Sequence, residues 1–280
     1  MKNYRFIGDN SLELTDEMRK TEDIALARFK IYIDGNEFDT GEPENFDQPR
    51  LVAAMKKSNQ AIRTACPSPQ EYVDLIGDEG DAFIVTISEK LSGSYQSAVM
   101  AKDMLLEKDS SRKIHVFDSK SASVGETLVY LKIKELIENG LSFENIVSKT
   151  SEFIDRMKTY FVLNSLDNLI KNGRISRIKG FFGSILHFSP IMCGTDGKIG
   201  LLENIRGRKK SLQRLIEVIG ETVDKMEDKI LAISHTNAEE VGESIAEEIR
   251  KKYNFKDVLL FRTNDLSTVY ADDGGIIICF

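Results

Sequence analysis

Histidine and cysteine are scarce in this chain of 280 residues, with three of each: His115, His187 and His235, and Cys66, Cys193 and Cys279. None of them form a CxxC pair or a metal-ligand spacing, so no metal site is expected. Three scattered thiols do not make a disulfide framework, which fits a reducing compartment, and their simplest role is as small packed hydrophobes. No apolar stretch approaches the roughly 18 residues of a membrane span. The opening Met1-Lys-Asn-Tyr-Arg-Phe-Ile-Gly-Asp9 lacks the apolar core of a signal peptide. A cytoplasmic protein without an integral membrane segment is expected. Walker-type and GxGxxG phosphate loops are absent, as is the Gly-x-Ser-x-Gly elbow of a serine hydrolase.

What is present is ordinary in bulk, with 41% hydrophobic and 30% charged residues, as in soluble globular proteins. The length suits one large or two moderate domains. Charge is unevenly spread. Between Asn168 and Arg214 ten Lys/Arg face two acids, Asp196 and Glu203, so this segment carries +8 and the remainder −15 of the net −7. It is either a solvated basic face or a docking surface for an acidic partner or a phosphate. Nucleic acid is not expected, because overall acidity opposes it and no aromatics interleave with the charges.

Strand-like and helix-like patterns alternate through the first half. Strands are predicted near 4–7, 29–33, 83–87, 113–117 and 159–163, and helices over 51–59, from Pro69, and over 95–107, 124–138 and 142–158. Residues 64–69, with Pro67 and Pro69, read as a stiff loop. This alternation predicts an α/β fold whose N-terminal domain, residues 1–160, has a mostly parallel sheet flanked by helices. Residues 161–280 read as an α+β domain with a mixed or antiparallel sheet. It contains a hairpin about Asp196-Gly197, helices at 207–226 and 237–253, and strands at 229–233, 256–261 and 275–280.

Two segments stand out: Leu91-Ser-Gly-Ser-Tyr-Gln-Ser-Ala98 and Asp118-Ser-Lys-Ser-Ala-Ser-Val-Gly-Glu126. Each lies between a predicted strand and a predicted helix, where free backbone N–H groups and the helix dipole favour an anion. In such sheets ligands sit beyond the carboxyl ends of the strands. A nucleophilic serine in Ser88–Ser94 would need a base and an orienting group, and His115 falls inside a predicted strand. Ser92 can also be a plain N-cap or turn residue.

With Arg63-Thr-Ala-Cys-Pro-Ser-Pro69, Asn172-Gly-Arg-Ile-Ser176 and Asn204-Ile-Arg206, these segments make the chain resemble the DegV family of bacterial fatty-acid-binding proteins over nearly its whole length. The resemblance implies a single long-chain fatty acid held between two domains, with no other cofactor. Thr64 and Ser92 would hydrogen-bond its carboxylate, with Tyr270, Ser11 and Gly93 near the head group. It further implies an acyl tunnel beside 178–188, where Ile178, Phe181, Phe182, Ile185 and Leu186 recur at helical spacing. Such a stripe is also what ordinary core looks like.

Arg174 and Arg206 match arginines that face the kinase in fatty-acid-kinase binding subunits of the family; otherwise they are salt-bridge or capping residues. The protein would catalyse nothing itself. As a monomer, it would present the acid to a separate ATP-dependent kinase. Carriage of another anionic lipid without a kinase is the alternative, and a serine hydrolase the remote one. Three departures stand out. Tyr270 replaces the family's usual His and is followed by Asp272 and Asp273, Asp9-Asn10-Ser11 replaces Asp-Ser-Thr/Cys, and Cys66 replaces a customary Gln.

Overall fold

The computed structural model describes residues 4–42, 45–175 and 188–280. Its strands are β1 Tyr4–Asp9, β2 Ile24–Ala27, β3 Lys30–Ile33, β4 Asn36–Glu37, β5 Arg63–Ala65, β6 Asp81–Thr86, β7 Ile114–Asp118, β8 Thr159–Val162, β9 Phe188–Thr195, β10 Lys198–Arg206, β11 Ile230–His235, β12 Asp257–Arg262 and β13 Ile276–Cys279. Its helices are α1 Asp16–Thr21, α2 Gln48–Lys57, α3 Pro69–Ile76, α4 Ser94–Lys108, α5 Val124–Glu138, α6 Phe143–Arg156, α7 Asp167–Lys171, α8 Arg208–Thr222, α9 Glu239–Lys252 and α10 Asp265–Ala271.

Local chemistry sets several boundaries. Ser68 accepts the Glu71 N–H at 3.2 Å and Pro69 occupies the first turn of α3, a pairing that starts helices well. Ser142 caps α6 in the same way. Between β9 and β10, Asp196 and Gly197 both have positive φ, 48° and 76°, as a two-residue turn between twisted strands requires. Gly197 is needed for space as well, since a side chain there would collide with the Ser88 hydroxyl.

The first sheet, in the order β2-β1-β6-β7, is wholly parallel. The second, β10-β9-β8-β13-β11-β12, is mixed: β11 and β12 run parallel and the other pairs antiparallel. The α/β reading and both sheet types are as expected. A small antiparallel sheet, β4-β3-β5, holds the strand expected at 29–33 and the hairpin its Asp34-Gly35 turn implies, while β5 was not anticipated. It pairs Ile31 with Thr64, so the front of the expected 64–69 loop is a strand and only its proline-bearing part is a loop. β8, at the expected division near residue 160, belongs to the second sheet.

Helices α3 and α4 cover one face of the first sheet, through Tyr72, Ala98 and Leu105. On the other face Phe83, Phe117 and Ile133 pack together. Ile133 belongs to α5, whose opposite side places Val124 and Leu128 against Ala232, Phe261 and Cys279 of the second sheet. The first seven residues of α5, Val124–Tyr130, are all buried, whereas Lys132, Lys134 and Glu135 further along are partly exposed.

At the N-terminus of α5 lies a buried polar cluster. The Ser123 hydroxyl donates to Glu13 Oε1 at 2.9 Å and pairs with Ser234 at 2.8 Å, while Glu13 Oε2 accepts the Asn264 N–H at 2.6 Å. Burial pushes the Glu13 carboxyl up to about 8. A carboxyl raised on folding contributes stability that is full below its unfolded value and is lost as pH rises through its folded one. Unfolding free energy should therefore fall between about pH 4.5 and 8, by up to ~1.4 kcal/mol per unit from this group. Glu13→Gln should flatten that fall in denaturant titrations at stepped pH. An unchanged slope would mean that Glu13 is ionised in the fold.

Candidate functional site

The loops that follow β1, β6 and β7 meet α10 and one face of the second sheet around a cavity. It leaves about 100 Å3 accessible to the centre of a water-sized sphere. Ser11, Ile87, Leu91, Ser92 and Ser121–Ser123 come from beyond the carboxyl ends of the parallel strands, where such sheets bind ligands. Across from them stand Thr159, Phe161 and Leu163 on or just past β8, Ile199 of β10 and Ile277 of β13. Their neighbours Tyr160, Val162, Ile276 and Ile278 point the other way, into the core beneath α8 and α9. Strand periodicity thus gives one sheet a packed face and a cavity face.

Hydroxyl and guanidinium donors gather at the Leu163 end. Thr64 on β5 and Tyr270 on α10 bring their hydroxyls to 2.7 Å. Leu163, Leu169 and Tyr270 pack in one cluster. The Arg174 guanidinium carbon lies 5.8 Å from the centre of the Tyr270 ring. Arg174 Nε donates to the Leu91 carbonyl at 3.1 Å and one terminal nitrogen to the Asn172 carbonyl at 2.5 Å. Asn172 in turn donates to the Ile62 carbonyl at 2.8 Å, tying this turn to β5. Ser92 Oγ accepts the Ser94 N–H at 3.2 Å at the start of α4. That leaves its hydrogen free to donate, so the capping and ligand roles of Ser92 are compatible.

Thr64, Ser92, Tyr270 and Ser11 all line the cavity. Ser11 is more embedded than expected, its hydroxyl oxygen accepting the Ser123 N–H at 3.0 Å. Gly93 sits on the outer side of the loop, where a side chain would press on the Cys66 sulfur. Arg174, expected to face a partner, is a cavity residue, whereas Arg206 ends β10 and is exposed. The five tail-wall candidates Ile178, Phe181, Phe182, Ile185 and Leu186 lie outside the described residues. The described apolar wall is Phe29, Ile87, Leu91 and Leu266 on one side and Phe161, Leu163, Leu169, Ile199 and Ile277 on the other. Alternation along β8 and β13 was the available sequence signal for Phe161, Leu163 and Ile277.

The acidic pair beside Tyr270 adds less charge to the site than its sequence position implies. Asp273 is bonded to Lys56 at 2.6 Å and to Asn237 at 2.7 Å, and neither Asp272 nor Asp273 lines the cavity. Asn10 is structural: its side chain joins Asp265 at 2.6 Å and the Phe29 N–H at 3.0 Å. Among the described residues no group of three metal-ligating side chains occurs, and no helix is long and apolar enough to cross a membrane. Among the described residues no histidine lines the cavity.

The DegV family model, described as one of uncharacterised proteins, matches residues 5–280. A DegV domain-containing protein of Streptococcus pyogenes is 30% identical over 275 residues, 98% of each chain. A DegV family protein from Ruminococcus gnavus, its structure refined with vaccenic acid, superposes with a TM-score of 0.93 at 36% identity, covering 99% of both chains. The Streptococcus pneumoniae fatty acid kinase B3 protein, loaded with linoleic acid, gives 0.87 at 28% identity, again covering 99% of both.

The three thiols should differ sharply in reactivity. Cys66 is exposed beside the Ser92-Gly93 loop, whereas burial pushes the Cys279 thiol up to about 11. Since the thiolate is the reactive form, a maleimide should label Cys66 first in the native protein and reach Cys279 only after unfolding, as read by peptide mass spectrometry. Equal labelling of both in the native state would contradict this packing.

Proposed function

The chain belongs to the DegV family, and from that premise we propose that it binds one long-chain fatty acid. The carboxylate lies at the Thr64, Tyr270, Ser92 and Arg174 end, and the acyl chain runs along the cavity face of β8 and β13. One observation carries this reading: a cavity with hydroxyl and guanidinium donors at one end and apolar side chains over most of its remaining wall. Hydrogen bonds to a charged acceptor contribute roughly 1.5–3 kcal/mol each. Each buried methylene adds about 0.8 kcal/mol before ordering costs. Arg174 adds a full positive charge that the three hydroxyls lack, fixed by its backbone bonds.

The protein catalyses nothing itself in this reading. It dissolves an acyl chain in the cytoplasm and presents the head group, as a monomer, to a separate ATP-dependent fatty acid kinase. The Streptococcus pneumoniae relative, named as a fatty acid kinase B protein, supports the second half. Arg206, exposed within the +8 segment, is positioned to meet an acidic partner. A second reading, carriage of another anionic lipid with no kinase, is favoured by one feature: Tyr270 offers the head group a neutral hydroxyl already paired with Thr64.

Organic extraction of the purified protein followed by mass spectrometry separates the two readings. Stoichiometric fatty acid supports the first, and a different lipid or none opposes it. Thr64→Ala and Ser92→Ala should each weaken fatty-acid binding by roughly 1–3 kcal/mol without lowering the melting temperature much. Unchanged affinity in both would remove the head-group assignment.

The two arginines should separate in function. Arg206→Glu should slow kinase-dependent phosphorylation and leave acid binding intact, and salt should mimic it because exposed charges are screened over about 8–10 Å. Arg174→Glu should impair binding as well. Phosphorylation indifferent to Arg206→Glu and to salt would make the basic segment a solvated face.

A further inference from the structure

The loops that carry Ser11 and Ser92 converge on one side chain that does not itself line the cavity, Asp9 at the end of β1. Asp9 is fully buried. Its Oδ1 accepts the Ser11 N–H at 3.1 Å. Its Oδ2 accepts the Ile87 N–H at 3.0 Å and the Ser94 hydroxyl at 2.6 Å. Ile87 and Ser94 bracket the loop between β6 and α4, and Ser92 lies between them. Ser94 carries the hold on to Ser92, whose Oγ accepts the Ser94 N–H at 3.2 Å.

An ionised carboxylate suits this position because it only accepts. With the Ser94 hydrogen committed to Asp9, the buried Tyr72 hydroxyl, 2.7 Å from Ser94 Oγ, donates to Ser94 in turn. Burial pushes the Asp9 carboxyl up, and the bonds from Ser94, Ile87 and Ser11 pull it back. Glu126, also fully buried, has no hydrogen-bond partner on either oxygen among the described residues. Burial, and after it the charge on Asp9, push the Glu126 carboxyl well above the carboxylate range. Glu126 therefore keeps its proton, and the negative charge of the two belongs to Asp9. A buried charge is costly, and apolar packing alone could join two loops without one. What the charge adds is geometry, since charge-assisted hydrogen bonds are short and fix their donors.

We propose that Asp9 is the positioning residue of the head-group site, aiming the Ser92 hydroxyl at the carboxylate from outside the cavity. This rests on the fatty-acid reading above. Without Asp9 the loop keeps its other ties, Ser88 to the Gly197 carbonyl and Leu91 to Arg174. Its anchors at Ile87 and Ser94 are released, so Ser92 must be ordered again when the ligand binds, which lowers affinity.

The test is a double-mutant cycle on protein stripped of copurified lipid, with affinity for one saturated long-chain fatty acid read by calorimetric titration. Asp9→Asn keeps the shape but turns an amide N–H group toward the donors, and should weaken binding about tenfold in the wild-type background. In the Ser92→Ala background the same change should weaken binding less than about twofold, because no hydroxyl is left to position, whereas independent structural damage would multiply in full. Ser94→Ala, which removes a single bond to Asp9, should show the same pattern with a smaller first step, and it decides the matter should Asp9→Asn not fold. An equal loss in both backgrounds, or no loss in the wild-type background, overturns the inference and leaves fatty-acid binding standing. Wild-type protein that takes up no fatty acid overturns both.

Discussion

The first half of helix α5, Val124–Tyr130, has no solvent face to spare, and the spacing of the two large sheets depends on that. Val129 and Ile133 pack toward the first sheet, while Val124 and Leu128 pack toward the second. One helix therefore serves two cores, and the sheets cannot close on each other where it stands between them. Its first turn fixes the alignment through polar contacts. Ser123 holds a positive φ of 57°, a conformation that costs about 1–3 kcal/mol outside glycine. Bonds to Ser11, Glu13 and Ser234 hold it there. The cavity opens beyond this joint, where the sheets diverge, and Ser123 forms part of its lining.

From that constraint the chemistry of the site follows in order. The carboxyl ends of the parallel strands supply small hydroxyl residues and backbone N–H groups. The second sheet supplies the alternate apolar face of β8 and β13. The β9–β10 hairpin closes one side, fixed by the Ser88 hydroxyl donating to the Gly197 carbonyl at 2.8 Å. The loop between β6 and α4 is thereby held from both sides, by Gly197 near its start and by Arg174 at Leu91. Its Ser92 is a preorganised donor, which lowers the ordering cost of binding.

Much of the fold was legible because its signals are local. Alternating strand and helix patterns, the Ser-Pro start of α3 and the Asp-Gly turns each act within a few residues. Helix α10 and strand β5 were not legible. Asp265–Ala271 is short, rich in hydroxyl and β-branched residues and supported mainly by tertiary packing, and Arg63–Ala65 is a strand only because β3 pairs with it. Thr64 and Ser92, to which the family pattern points, both line the cavity. The placement of Arg174 depends on a carbonyl 83 residues away and that of Tyr270 on a hydroxyl 206 residues away. No local pattern encodes such contacts.

The central claim, that a fatty acid's carboxylate sits ionised among Thr64, Tyr270, Ser92 and Arg174, is tested most directly by NMR of a carboxyl-labelled fatty acid bound to the protein and followed through a pH titration. Donated hydrogen bonds and a neighbouring guanidinium favour the charged form. The account therefore predicts a bound carboxyl that titrates below the free acid and loses this depression in Arg174→Gln. A bound carboxyl that titrates at or above the free acid, indifferent to Arg174, would place the head group elsewhere and contradict the account.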